Sequence, residues 1–166
     1  MSKNKKMDSR KKFRVLCLIL FWIYVVAIIY FLLLSDMYGR TEGYSDYRYN
    51  LIPLLEIRRF IHSALNGGSI SYVDIFVNLV GNVVAFIPFG ALIRWVRNQK
   101  TGFFTAVLYT FLFSLCIEVS QLLTRVGVFD VDDLLLNTLG GAIGYGCYRL
   151  LRAIDRRRYQ NGKKKS

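Results

Sequence analysis

The chain has 166 residues, a length that suits one domain. It is 54% hydrophobic and 15% aromatic, yet it carries a formal net charge of +12. A soluble protein this basic would point to nucleic acid, but here the basic residues lie between long apolar runs, which points to membrane topology and away from a nucleic-acid partner.

A spanning helix needs ~20 mostly apolar residues. Residues 1–14 form a basic tail, and residues 15–34 supply a first span without a charge. That stretch is too long for a cleaved signal peptide and no small-residue cleavage site follows it, so it reads as an uncleaved span. Residues 35–74 come next. Their first part, YGRTEGYSDYRYN, is polar and aromatic. Their second part has the spacing of an amphipathic helix. Leu54, Ile57, Ile61, Ala64 and Leu65 share one face with Phe60 at its edge, while Glu56, Arg59, Ser63 and Asn66 share the other. Such a helix either lies flat on the membrane surface or covers the other spans. Gly67 and Gly68 end it. Further spans cover residues 75–96, 103–123 and 134–151, and a second basic tail covers 152–166. The expected fold is an all-α integral membrane protein with four transmembrane helices and an outer amphipathic helix. Residues 15–151 form its membrane domain.

Lys and Arg set the orientation. The two tails and the loop between the second and third spans, together with Arg94 and Arg149 at the adjoining span ends, hold 18 of the 23 basic residues. The opposite side holds nine of the eleven acids, leaving Asp8 and Asp155 with the basic tails. Both termini are therefore expected in the cytoplasm of a multi-pass cell-membrane protein. The tails serve as topology signals and contacts for anionic lipids.

Polar groups inside a bilayer are costly and need an account. Asn78 and Asn82 lie four apart on one face of the second span. Glu118 and Gln121 lie near the outer end of the third, and Arg125 follows Gln121 by four. Asp130, Asp133 and Asn137 lie at the outer start of the fourth. All reach a similar depth, which predicts a net acidic pocket opening outward. Structural alternatives stand beside this. The aspartates suit the N-terminus of a helix, the asparagines suit interhelical bonds, and Glu118 suits an ion pair with Arg125. Gly140, Gly141, Gly144 and Gly146 suit close helix packing, and Pro88 suits a kink in the second span.

Cys17, Cys116 and Cys147 each sit in an apolar run and offer neither a disulfide framework nor a metal spacing. His62 is the single histidine, and HExxH, G-x-S-x-G and phosphate-loop patterns are missing. No cofactor is implied. What remains for an enzymatic reading is carboxylate chemistry, with magnesium or calcium suited to oxygen ligands from Glu118, Asp130, Asp132 or Asp133.

Three patterns recur in order: N-x-x-G-N-x-x-x-F-x-P-F-G from Asn78 to Gly90, E-x-x-Q from Glu118 to Gln121, and D-x-D-D-x-x-x-N-x-x-G from Asp130 to Gly140. NLIPL, from Asn50 to Leu54, precedes them. Together they resemble the VanZ-like family of bacterial membrane proteins over roughly residues 34–151. The resemblance implies a role in the cell envelope and tolerance of teicoplanin-type lipoglycopeptides. It carries over Asn78, Asn82, Glu118, Gln121, Asp130, Asp133 and Asn137, and it gives no reaction. The leading expectation is a binding protein for a polar group of a lipid-linked wall precursor, a lipid headgroup or a lipoglycopeptide. A membrane-embedded enzyme acting on such a lipid through carboxylates is one alternative. A scaffold subunit of an envelope complex is another.

Overall fold

The computed structural model describes residues 2–34, 46–66, 72–97 and 101–164. The stop expected at Gly67 and Gly68, and the start of the segment after the first span, lie outside them. Five α-helices are present among the described residues: α1 (Ser2–Ile29), α2 (Leu55–Asn66), α3 (Tyr72–Val96), α4 (Phe103–Thr124) and α5 (Val131–Lys164). A π-helical turn, Tyr30–Leu34, extends α1. Two short strands, β1 (Tyr49–Asn50) and β2 (Phe129–Asp130), pair in parallel.

Among the described residues, three helical stretches are long and apolar enough to cross a membrane: Lys11–Leu33, Asn78–Val96 and Phe103–Thr124. The run expected as a fourth span is helical within α5 but is not one of these three. Asn137, Arg149 and four glycines dilute its apolarity. Protein neighbours surround much of it: Leu134, Asn137, Gly140, Gly141, Gly144 and Tyr145 are all buried. A helix enclosed by other helices needs fewer apolar side chains than one facing lipid. Both long terminal helices run through the expected tail boundaries, because Lys and Arg are good helix formers and no proline interrupts them.

Contacts along the helices give their directions. Phe13 meets Trp95 and Phe21 meets Phe89, so α1 and α3 are antiparallel. Asn82 meets Asp133 and Trp95 meets Tyr148, so α3 and α5 are parallel. Ser114 meets Asn137 and Thr101 meets Tyr145, so α4 opposes α5. The bundle thus alternates direction through α1, α3, α4 and α5. Its charges are sorted along the axis. Glu118, Asp130, Asp132 and Asp133 lie at one end, which we call the acidic end, and Arg14, Arg94, Arg97 and Arg152 at the other.

Glycine sets the closest helix contact. A Cβ on Gly140 would fall 2.1 Å from the Val83 carbonyl oxygen, and one on Gly144 would fall 2.0 Å from that of Ile87. The pair spaced four apart on α5 therefore lets two backbones touch. Gly146 meets nothing within 4 Å and takes no part. Pro88 lies inside α3, which continues through it. Around this seam Phe86, Phe89 and Phe113 form an aromatic core, with Phe89 and Phe113 stacked at 4.8 Å. On α1, Trp22, Ile23 and Val26 face away from the protein. Such an outer surface is stable in lipid and would aggregate in water.

On α2 the apolar residues of the second half turn outward. Ile61 is 56% exposed and Leu65 78%, whereas Ser63 of the polar face is 6% exposed. Ile57, earlier on the same face, is half-buried, so it is the later part of the apolar face that does not cover the bundle. It is presented to the surroundings, as a surface-lying helix presents it.

Candidate functional site: a buried polar cluster at the acidic end

The cluster grows from the turn between α4 and α5. Helix α4 ends where Arg125 takes a left-handed conformation, φ 56°. Buried Gly127 fits tightly beside Gln121, where a Cβ would sit 3.3 Å from that side chain. The chain then doubles back as β2. The Asp130 N–H donates to Glu118 Oε2 at 3.0 Å, so a group near the end of α4 receives the residue that starts α5. Asp130 Oδ1 accepts from the Asp132 N–H at 2.8 Å, the bond of an N-cap. Asp132 and Asp133 occupy the first turn of α5, where the helix dipole favours negative charge.

Each aspartate also holds a distant segment. The Asn50 side-chain amide donates to both carboxylate oxygens of Asp130 at 3.2 Å. The Leu54 N–H donates to Asp132 Oδ1. Leu54 itself has φ 63°, a left-handed conformation that a leucine rarely adopts and that surrounding contacts must impose. From α3, Asn82 donates to Asp133 Oδ1 and to Asn78 Oδ1, the latter at 3.4 Å. One helical turn after Asp133 on α5, Asn137 donates to Ser114 Oγ at 2.9 Å, and Ser114 stands one turn before Glu118 on α4. Glu118, Asp132 and Asn137 are 2%, 1% and 2% exposed. Asn137 Oδ1 is buried with no hydrogen-bond partner.

Of the residues expected from sequence, Asn78, Asn82, Glu118, Asp130, Asp133 and Asn137 come together here. Gln121 is buried but turns to α1, donating to the Leu32 carbonyl at 3.0 Å. Arg125 stands apart: it is exposed, and its guanidinium lies 4.6 Å from the Tyr47 ring centroid. The Tyr47 hydroxyl bonded to it raises its pKa above the usual arginine value. The left-handed residue ends the helical rotation that would have carried Arg125 onto the Gln121 face. Sequence reasoning left Ser114, Asp132 and Asn50 out of the expected pocket. For Ser114 the signal was its place four residues before Glu118, and for Asn50 it was the NLIPL segment. Among the described residues, no group of three or more His, Cys, Asp and Glu is arranged to hold a metal ion.

Apolar outward-facing helices and a polar cluster closed into one end of the bundle define a helical membrane protein with an internal polar site. The chain belongs to the VanZ/LLP1 family, whose model matches residues 21–152. It is similar to Protein VanZ of Enterococcus faecium, with 30% identity over 97 residues, 58% of this chain and 60% of that protein. The chain thus spans about 60% of the length of the curated relative it matches. No solved structure matches it.

Proposed function

We propose that this protein is a four-span envelope protein with both termini in the cytoplasm, whose acidic end faces outward and binds a hydrogen-bond-donating polar group. The ligand classes are a lipid-linked wall precursor, a lipid headgroup or a teicoplanin-type lipoglycopeptide. The observation that carries this is the convergence of β1, the Leu54 turn, α3 and α4 on the first two turns of α5, where Asn137 Oδ1 is a buried and unmatched acceptor. Leaving such a group unsatisfied costs about 1–3 kcal/mol. A bound N–H or O–H donor removes that cost. Glu118 and the aspartates hold the surrounding frame, and the positive ends of their own backbone segments keep the frame together.

Expression of the wild type and of Glu118→Gln in a susceptible Gram-positive host tests the reading. The wild type should raise the inhibitory concentration of teicoplanin and leave that of vancomycin unchanged. At equal membrane abundance the variant should lose the effect. A wild type that changes neither value removes the resistance role from this chain and turns the search to envelope lipids in a deletion strain.

A further inference from the structure

The opposite end of the bundle has an organisation of its own, which the acidic cluster does not use. Arg94, in the last turn of α3, reaches across to the start of α4 and donates through Nη1 to the Thr101 carbonyl at 3.4 Å. Its guanidinium carbon also stands 5.3 Å from the centroid of the Tyr148 ring. Arg152, one turn further along α5, donates to the hydroxyl of the same tyrosine at 3.5 Å. One tyrosine is thus met by two guanidinium groups, Arg94 over its ring and Arg152 at its hydroxyl. Among the described residues neither meets a carboxylate. Two cations sharing one neighbour favour an anion beside them.

Three further features point to such an anion. The Nε of Arg94 is shielded from solvent and has no hydrogen-bond partner. The Thr101 hydroxyl, on a residue only 3% exposed, has none either. Thr101 immediately precedes Gly102, the N-cap of α4, which offers no side-chain cap, and the first turn of α4 carries no acid. The free N–H groups there carry the positive end of a 22-residue helix dipole. Helix N-terminus, arginine fork and threonine hydroxyl together are the donor set that a phosphate takes.

The neighbourhood selects a lipid as the bearer of that phosphate. Trp95 packs edge-on against Tyr148, and Phe13 edge-on against Trp95. Tryptophan and tyrosine at a helix end mark the headgroup level of a bilayer. Phe104, two residues beyond Gly102, and Leu150 and Leu151, next to Arg152 in the chain, are exposed apolar side chains at the same end of the bundle, at 85%, 63% and 65% exposure. An acyl chain can lie along that surface while its headgroup reaches Arg94.

We propose that the basic end of the bundle binds the phosphate of an anionic phospholipid between Arg94, Arg152 and the first turn of α4. This differs from a diffuse attraction of the basic tails to a charged membrane, because it depends on the planar fork of Arg94 and not on charge alone.

The test uses the full chain, delipidated in a neutral detergent and titrated with short-chain phosphatidylglycerol, phosphatidylcholine or inorganic phosphate, with bound species read by native mass spectrometry. Phosphatidylglycerol should bind at a defined one-to-one stoichiometry and more tightly than phosphatidylcholine, which offers the same phosphate but brings a cationic choline beside the arginines. Arg94→Lys keeps the charge and should weaken binding about tenfold, the size of a lost charge-assisted hydrogen bond. Arg152→Gln alters an exposed residue and should weaken it about threefold. Arg156→Gln, exposed one turn beyond, should leave it unchanged. The proposal fails if Arg94→Lys and Arg152→Gln bind as the wild type does, or if Arg156→Gln loses as much as Arg152→Gln. Should Arg94→Lys fail to fold, the Arg152 and Arg156 pair decides. Displacement of the lipid by equimolar inorganic phosphate would overturn the lipid as the source.

Discussion

Asn137 gives its amide to Ser114 Oγ at 2.9 Å while its own carbonyl oxygen, equally buried, meets no donor. The two ends of one side chain are thus unequal: one is fixed to α4 and the other is open. The half that is fixed has a stability consequence. Ser114→Ala leaves the Asn137 amide without its acceptor and should destabilise the protein by about 1–3 kcal/mol. Chemical unfolding in detergent or bicelles checks this.

The α3–α5 seam should be the most sensitive packing site. Gly144→Val places side-chain atoms where the Ile87 carbonyl already stands, so the helices must separate. Membrane accumulation should fall below detection. Gly146→Ala, two residues on, meets open space and should accumulate normally. Immunoblotting of membrane fractions measures both.

Leu54 bears a backbone conformation that glycine adopts freely, and its side chain is half exposed. Leu54→Gly should therefore cost nothing or stabilise by up to about 1 kcal/mol. Leu54→Val, β-branched at positive φ, should destabilise by about 1 kcal/mol more than leucine does. Thermal melting of the two variants separates the outcomes. A stabilising valine would contradict the account of this turn.

Orientation is open to direct labelling. In a cysteine-free background, a cysteine at Leu51, exposed beside β1, should react with an impermeant maleimide added to intact cells. A cysteine at Arg156, exposed on the extended part of α5, should react only after the membrane is opened. The reverse pattern would place the acidic end in the cytoplasm.

Much of this was legible in the chain, and the reasons are physical. The helices α1 and α4 declare themselves because most of their faces are left to lipid, so they must be apolar nearly all round. The last helix does not, because its faces meet Val83, Ile87 and Thr110, and close packing asked for glycine in place of leucine. Convergence of Asn82, Glu118 and Asp133 followed from alternating direction and equal depth. Asn50 did not, since its partner Asp130 is 80 residues away and the joining ladder is two residues long. Arg125 was expected to follow Gln121 by helical rotation. One left-handed residue ended that rotation, and its side chain went to Tyr47 instead. The amphipathic pattern of α2 was readable, but only the fold shows Leu65 pointing outward and Ser63 inward.

The open half of Asn137 provides the most direct test of the central claim. Asn137→Leu fills the same volume, removes the unmatched acceptor and gives up one hydrogen bond, so the fold should be kept within about 1.5 kcal/mol. In a susceptible host, at membrane abundance equal to the wild type, the variant should lose the teicoplanin effect entirely. A well-folded Asn137→Leu that protects as fully as the wild type would show that the cluster only holds helices together.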